Sequence, residues 1–331
     1  MASERALLVA AGGGIGDTLL AGVVARALRA RYAAVDAVVL PGHADLAAHV
    51  PALDTVIPLG RRLPARYAAA VVTWATARTA LLPWLARIPH RVGQARRLYS
   101  GLFTERVVVR SELGDRTTHW TGILLDYARA LGCDLADPRP EFALRGQERH
   151  DAETLLRVHD VHGPFYLMHP TRGLSAQRAR WPTAGFAALA RRLVARDGVP
   201  VLLSGAPEDA ALAEAIAGQA GRGVSTVAGA TSIGTFAALA ARARAVVAMD
   251  SGPMHVAAAV GAPTVGIFAL QSDEPDRWAP KGARVAVVRP SYPCPPAHRK
   301  ETCPDFACVR ALDEARILSA LDGLLVPTAE R

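Results

Sequence analysis

The sequence predicts an α/β protein of two domains, each a doubly wound parallel sheet of Rossmann-like type. Three observations carry that reading. Short apolar runs alternate with helical patterns in both halves of the chain. Turns rich in Gly, Pro and Ser follow several of those runs. Finally, 331 residues exceed what one ordinary core organises. The runs are continuous rather than alternating, as strands buried on both faces require.

In the first half, strands are expected at 5–11, 35–40, 56–59, 69–74 and 90–93. The helix after the first strand carries Leu19, Leu20, Val23, Val24, Ala27 and Leu28 on one face. An apolar helix follows the fourth strand to about Ala86, and another spans 119–131. Residues 94–118 are Arg-rich and weakly periodic, which reads as a loop. Pro138 and Pro140 lead into an expected short strand at 141–144. Helix 147–158 and the turn His162-Gly163-Pro164 read as the link. A second series then begins, with strands at 165–169, 199–204, 225–228, 245–249, 264–269 and 284–289. Its helices are expected at 183–196, 207–220, 233–243, 253–260 and 312–325. The domains so defined are 1–160 and 161–311, with a terminal helical segment at 312–331.

Composition narrows the function classes. Hydrophobic residues make up 51% and charged residues 21%, the balance of a foldable, soluble chain. The net charge of +8 points to anionic partners, either phosphorylated ligands or an acidic membrane face. Aromatic residues are only 5% and do not interleave with basic ones, which argues against nucleic acid binding. No apolar run reaches the roughly 20 residues that span a bilayer. The stretch Ala68 to Ile88 comes nearest, but Arg78 and Pro83 interrupt it. A strand pattern begins at Arg5, leaving no room for a signal peptide. The expected location is cytoplasmic, with peripheral contact at an anionic inner membrane. Cys133, Cys294, Cys303 and Cys308 lack a paired C-x-x-C and read as free thiols, with a metal site the alternative for the last three.

Four stretches sit where chemistry is expected. Gly12-Gly13-Gly14-Ile15-Gly16-Asp17 turns from strand to helix, and its glycines, Gly13, Gly14 and Gly16 among them, let backbone approach a ligand. It is neither a Walker A loop nor a G-x-G-x-x-G fingerprint. Asp17 in the first helical turn is expected to have its pKa kept low by the helix dipole, and by itself it equally suits a helix-start carboxylate. His169-Pro170-Thr171-Arg172, followed by Arg178 and Arg180, suits a diphosphate or an Arg-bearing surface loop. Ser204 and Gly205 open a turn that either lines a nucleotide pocket or only connects elements. Asp250-Ser251-Gly252-Pro253-Met254-His255 joins a buried strand to a helix with Pro near its start, the place where α/β sheets bind ligands. Asp250 or Ser251 also suits a plain helix cap.

Taken in order, these stretches resemble glycosyltransferase family 9, the bacterial heptosyltransferases. The matching segments are Gly14-Ile15-Gly16-Asp17-Thr18-Leu19-Leu20, His169-Pro170 leading to Arg180-Trp181-Pro182, Leu203 to Glu208, Val227-Ala228-Gly229 and Asp250 to His255. The cysteine cluster is similar to the family's C-terminal pattern. The resemblance implies a GT-B architecture, two Rossmann-like domains facing a cleft. An N-terminal acceptor domain and a C-terminal nucleotide-sugar domain are implied, with the last helix packing back on the first domain. The implied reaction is inverting, metal-independent transfer of heptose from an ADP-activated donor to a sugar hydroxyl of lipopolysaccharide core or of a secondary metabolite. No cofactor is implied beyond that donor. By position Asp17 matches the general base, Asp250 the residue holding the donor sugar, and Gly252 and His255 the loop around the donor phosphates. Thr171, Arg172, Arg178, Arg180, Ser204, Gly205, Ser251, Pro253 and Met254 complete the expected donor side. No Asp-x-Asp motif stands near either loop. Ala179 occupies the position where the family commonly has a Lys facing the phosphates, with Arg178 or Arg180 as the nearest substitutes. Two alternatives share the fold: a nucleotide-sugar epimerase and a nucleotide-sugar-binding protein without activity.

Overall fold

The computed structural model describes residues 4–171, 180–270, 273–295 and 303–326. Contacts divide the chain into two compact units, 1–143 and 144–331. The first contains β1 (Arg5–Ala10), α1 (Ile15–Leu28), β2 (Ala34–Val39), α2 (Ala44–Ala47), β3 (Thr55–Pro58), β4 (Ala69–Val72), α3 (Ala77–Leu85), β5 (His90–Gln94), β6 (Glu105–Val107) and α4 (Trp120–Arg129). Its six strands form one sheet in the order β3-β2-β1-β4-β5-β6, with every pairing parallel. Successive strands build outward from β1 in one direction and then, from β4, in the other. The chain therefore reverses between β1 and β4, the switch point at which doubly wound sheets open a ligand crevice. β1, β2 and β4 are buried along their lengths apart from Arg5, as parallel strands covered by helices must be.

One buried carboxylate lies inside this sheet. Asp36 on β2 is fully buried, yet its oxygens accept from Arg5 Nη2 at 2.5 Å, Arg5 Nε at 3.2 Å and the Tyr67 hydroxyl at 2.7 Å. A buried charge persists because its lone pairs are filled in this way.

The second unit contains α5 (Gly146–Val158), β7 (Tyr166–His169), α6 (Thr183–Asp197), β8 (Val201–Leu203), α7 (Ala210–Ala220), β9 (Val224–Thr226), α8 (Ile233–Arg242), β10 (Ala245–Met249), α9 (Gly252–Ala259), β11 (Thr264–Ile267), α10 (Pro275–Trp278), β12 (Val285–Val288), α11 (Ala307–Arg310) and α12 (Glu314–Leu325). Its parallel sheet has the order β12-β11-β10-β7-β8-β9, the same winding, with its switch between β7 and β10. The core is built from Tyr166, Phe186, Leu189, Leu193, Val247 and Ile267, all fully buried.

Three features differ from the sequence reading. The Arg-rich stretch contains β6, which pairs with β5; three residues at a sheet edge are too few to print a period. No strand forms at 141–144, where the Ala143 N–H instead donates to the carbonyl of His49. The division between units falls before α5 rather than at 160, because α5 packs on α8. The terminal helix α12 buries Ile317 and Leu321, one turn apart, in the core of the second unit. It is tied there by Arg196–Asp322 and Arg192–Glu314 ion pairs.

Removing the Tyr67 hydroxyl, as in Tyr67→Phe, leaves a buried carboxylate oxygen short of a donor. Urea unfolding is expected to show a loss of about 1–3 kcal/mol with an unchanged denaturant slope.

Candidate functional site

In the first unit the chain leaves β1 through three glycines whose geometry is dictated by their neighbours. Gly13 has φ +70°, and a Cβ there would stand 2.3 Å from Asp17 Oδ2. A Cβ on Gly12 would stand 2.7 Å from Trp74 Cβ. The backbone is thus pressed between the Asp17 carboxylate and the Trp74 indole, and only glycine fits. Asp17 lies in the first turn of α1, where its Oδ2 accepts from the Gly14 N–H at 2.7 Å. Its Oδ1 is buried and has no hydrogen-bond partner among the described residues.

Burial raises the Asp17 pKa, against the opposing backbone N–H groups of Gly14 and Asp17 itself. This corrects the expectation that the helix terminus keeps it low: desolvation outweighs the dipole because the carboxylate is packed over the glycine turn rather than projected into water. A raised pKa and one uncommitted oxygen are properties of a proton acceptor.

Trp74 follows β4, on the other side of the switch point. Its indole Nε1 is also buried without a partner among the described residues, and its ring lies 5.8 Å from that of Trp120. Beside Asp17, the Thr18 hydroxyl and His43 Nδ1 are 2.8 Å apart, and burial lowers the His43 pKa. Trp74, Trp120 and His43 are absent from the sequence-based set. Trp74 becomes recognisable only once the strand order places β4 beside β1.

In the second unit the switch point brings the ends of β7 and β10 together. His169 closes β7 and is buried; its Nδ1 is 3.2 Å from Ser204 Oγ, and its Nε2 is 3.0 Å from Thr171 Oγ1. Ser204 Oγ donates to the Met168 carbonyl at 3.2 Å, so its single proton is used. His169 Nδ1 is therefore the donor to Ser204, and Nε2 accepts from Thr171. Burial lowers the His169 pKa to about 4, which keeps the ring neutral and this relay intact. Gly205 follows Ser204 where a Cβ would stand 2.8 Å from Asp209 Cβ.

At the end of β10, Asp250 donates its N–H to the Ile267 carbonyl at 3.0 Å and its side chain is partly exposed. Ser251 sits at the N-cap of α9, but its hydroxyl donates back to the Met249 carbonyl at 2.9 Å. Among the described residues no side-chain hydrogen bond to the N-cap of α9 is formed, and its first turn holds Gly252 and Pro253. The cap reading of Ser251 is thereby removed, and the N-terminus of α9 stands beside the Asp250 carboxylate at the switch point. His255 is buried one turn on. Met254 is fully buried, and a Cβ on Gly266 would stand 2.6 Å from its Sδ. Its side chain lies in the core.

Arg180 is partly buried beside Trp181, whose Nε1 donates to the Leu312 carbonyl at 3.1 Å. Arg172, Arg178 and Ala179 lie outside the described residues. Among the described residues no disulfide joins Cys133, Cys294, Cys303 or Cys308, and no group of three or more His, Cys, Asp or Glu is arranged to hold a metal ion.

Comparison with known proteins agrees with this arrangement. Residues 56–305 match the sequence model of Glycosyltransferase family 9 (heptosyltransferase). Lipopolysaccharide heptosyltransferase 2 of Salmonella typhimurium is 27% identical over 311 residues, covering 83% of this chain and 85% of that protein. A glycosyl transferase family 9 structure from Veillonella parvula superposes with a TM-score of 0.84 at 19% identity, covering 98% of each chain. The E. coli ADP-heptose lps heptosyltransferase II does so with a TM-score of 0.77 at 22% identity, covering 99% of this chain and 100% of that one. The shared fold is GT-B. With three quarters of its length matching the family's own sequence pattern, the chain belongs to glycosyltransferase family 9 and is a glycosyltransferase.

Proposed function

We propose that this enzyme transfers a heptose, or a related sugar, from an ADP-activated donor to a sugar hydroxyl, with inversion at the anomeric carbon. The observation that carries the proposal is Asp17: a half-buried carboxylate at a sheet switch point, with one oxygen fixed by Gly14 and the other buried and uncommitted among the described residues. In this reading Asp17 takes the proton of the acceptor hydroxyl as its oxygen attacks the anomeric carbon. The bond from that carbon to the β-phosphate oxygen breaks, and ADP departs with the negative charge. The N-terminus of α9, together with the arginines between β7 and α6 in the sequence, opposes that charge. Asp250 holds the sugar, and the neutral His169 fixes the Thr171 hydroxyl at the edge of the donor pocket.

The curated heptosyltransferase 2 relative supports lipopolysaccharide core as the acceptor class, with a secondary-metabolite sugar as the alternative. A lipid-borne acceptor also fits a peripheral position at a membrane carrying anionic headgroups. No cofactor beyond the donor enters this reading.

Thermal unfolding with ADP, UDP, GDP, CMP, NAD and ADP-heptose tests the donor. ADP and ADP-heptose alone are expected to raise Tm, by an amount equivalent to roughly 2.7 kcal/mol at about 100 times Kd. A preference for UDP or GDP compounds overturns the donor assignment.

Asp17→Asn is expected to lower turnover roughly 100–10,000-fold while leaving the ADP-induced Tm shift unchanged. It is also expected to stabilise the apoenzyme at neutral pH. A carboxyl whose pKa is raised on folding contributes stability below its unfolded value and loses it as pH rises through the folded one, so the ionised group is a cost that Asn removes.

His169 has the opposite sign. Its pKa falls from 6.5 to about 4 on folding, so the unfolded chain takes up the proton first. Stability is expected to decline by up to roughly 3 kcal/mol as pH drops through that window. Denaturation of His169→Gln across the same range should show this part of the slope gone.

A further inference from the structure

The chemistry above gives Asp17 a task and leaves Trp74 without one. Trp74 stands two residues past β4, across the switch point from Asp17. Its indole is held from several sides. Cβ, Cγ and Cδ2 press on Gly12, where a methyl group would meet them at 2.7, 3.2 and 3.7 Å. The ring lies 5.8 Å from that of Trp120, tilted by 43°. Behind it, the Thr79 hydroxyl is 3.1 Å from the Trp74 carbonyl, and the Tyr99 hydroxyl donates to the Ala75 carbonyl at 2.5 Å. A ring packed on one face, with its backbone tied down, is fixed in orientation before any ligand arrives.

Such a ring has a single polar atom to offer, because indole Nε1–H donates and never accepts. Nε1 is buried and makes no hydrogen bond among the described residues. A buried donor without an acceptor destabilises the protein that carries it, and it therefore points to a partner that comes from outside. Asp17 Oδ1 is in the complementary condition, an acceptor without a donor. The two groups are neighbours. Gly12 and Gly13 are consecutive, one against Trp74 and the other against Asp17 Oδ2, so Trp74 Cβ and that oxygen are at most about 12 Å apart.

We infer that Trp74 Nε1 is the hydrogen-bond donor that positions the acceptor sugar, binding a hydroxyl or ring oxygen near the hydroxyl that Asp17 deprotonates. A sugar supplies what both groups lack: oxygens that accept from the indole, a hydroxyl that donates to the carboxylate, and an apolar ring face to lie against an aromatic one. Because Nε1 is shielded in the unliganded protein, the acceptor oxygen reaches it as the indoles of Trp74 and Trp120 part. Trp74 thus acts on alignment, and proton transfer stays with Asp17. The inference rests on the reading above that Asp17 serves the acceptor.

The test uses the full chain with a deacylated lipopolysaccharide core oligosaccharide as probe. Two variants remove the N–H. Trp74→Phe keeps the Cβ and Cγ atoms that touch Gly12. Incorporation of 3-benzothienylalanine in place of Trp74 keeps the whole outline and exchanges the N–H for sulfur, so it stays informative if the smaller ring packs poorly. Calorimetric titration should show oligosaccharide binding weakened roughly tenfold in both. In transfer assays the acceptor KM should rise and the donor KM should not. Tm of the isosteric variant without ligand should equal or exceed that of the parent, since a buried unmatched donor is gone, and the ADP-induced Tm shift should be intact.

Nuclear magnetic resonance reads the same contact in the parent chain. Of its five indole N–H signals, the one lost in the variants should move when oligosaccharide is added and stay in place with ADP alone.

Undiminished oligosaccharide affinity in the isosteric variant overturns this inference alone. A lower Tm of that variant with unchanged affinity would give the N–H a structural water as its partner, and equally overturns it. Failure of the oligosaccharide to bind the parent chain overturns the acceptor reading, and this inference with it.

Discussion

Parallel pairing is the constraint on which both candidate sites depend. When every strand of a sheet runs the same way and each crossover is a helix, all the carboxyl ends share one edge, and the loops that leave them gather there. In each unit the winding reverses once, between β1 and β4 and between β7 and β10. At those points two loops diverge to opposite faces and leave a gap between them. Asp17 and Trp74 flank the first gap, and His169 and Asp250 flank the second. The strands themselves contribute little besides burial. Their apolar side chains exclude water from the base of each gap, which is what shifts the pKa values of Asp17 and His169.

The buried polar groups sort by how fully they are satisfied. Asp36 is deeper than Asp17, but Arg5 and Tyr67 fill its oxygens, and it behaves as part of the framework. His169 is likewise satisfied on both nitrogens, by the Ser204 and Thr171 hydroxyls. Asp17 keeps one oxygen without a donor, and Trp74 keeps an N–H without an acceptor. Such incomplete pairing costs free energy in the unliganded protein and is found where a ligand completes it.

Much of the fold was legible from residue pattern. Continuous apolar runs of Val, Leu and Ala announced buried parallel strands within one or two residues of their ends, because a strand covered on both faces tolerates little else. Gly12 to Asp17 and Asp250 to His255 were legible as strand-to-helix turns, since glycine and proline punctuate the chain there. Less visible were elements with too few residues to repeat a period, such as β6, and residues whose role arises from a neighbour distant in sequence. Trp74 is such a case: nothing around it signals that it will press on Gly12.

The sequence by itself determined the fold class, the order of strands and helices, the family and the two glycine-bearing turns, because periodicity, turn chemistry and motif spacing are local properties. The tertiary structure alone decided what surrounds each of the candidate residues. Strand order placed Trp74 beside Asp17, close packing sent Met254 into the core, and the backbone of β10 drew the Ser251 hydroxyl away from its helix. It also reversed the expected pKa shift of Asp17. A helix dipole can be read from sequence, but desolvation depends on what the rest of the chain stacks around the carboxylate, and that is fixed only when the chain is folded.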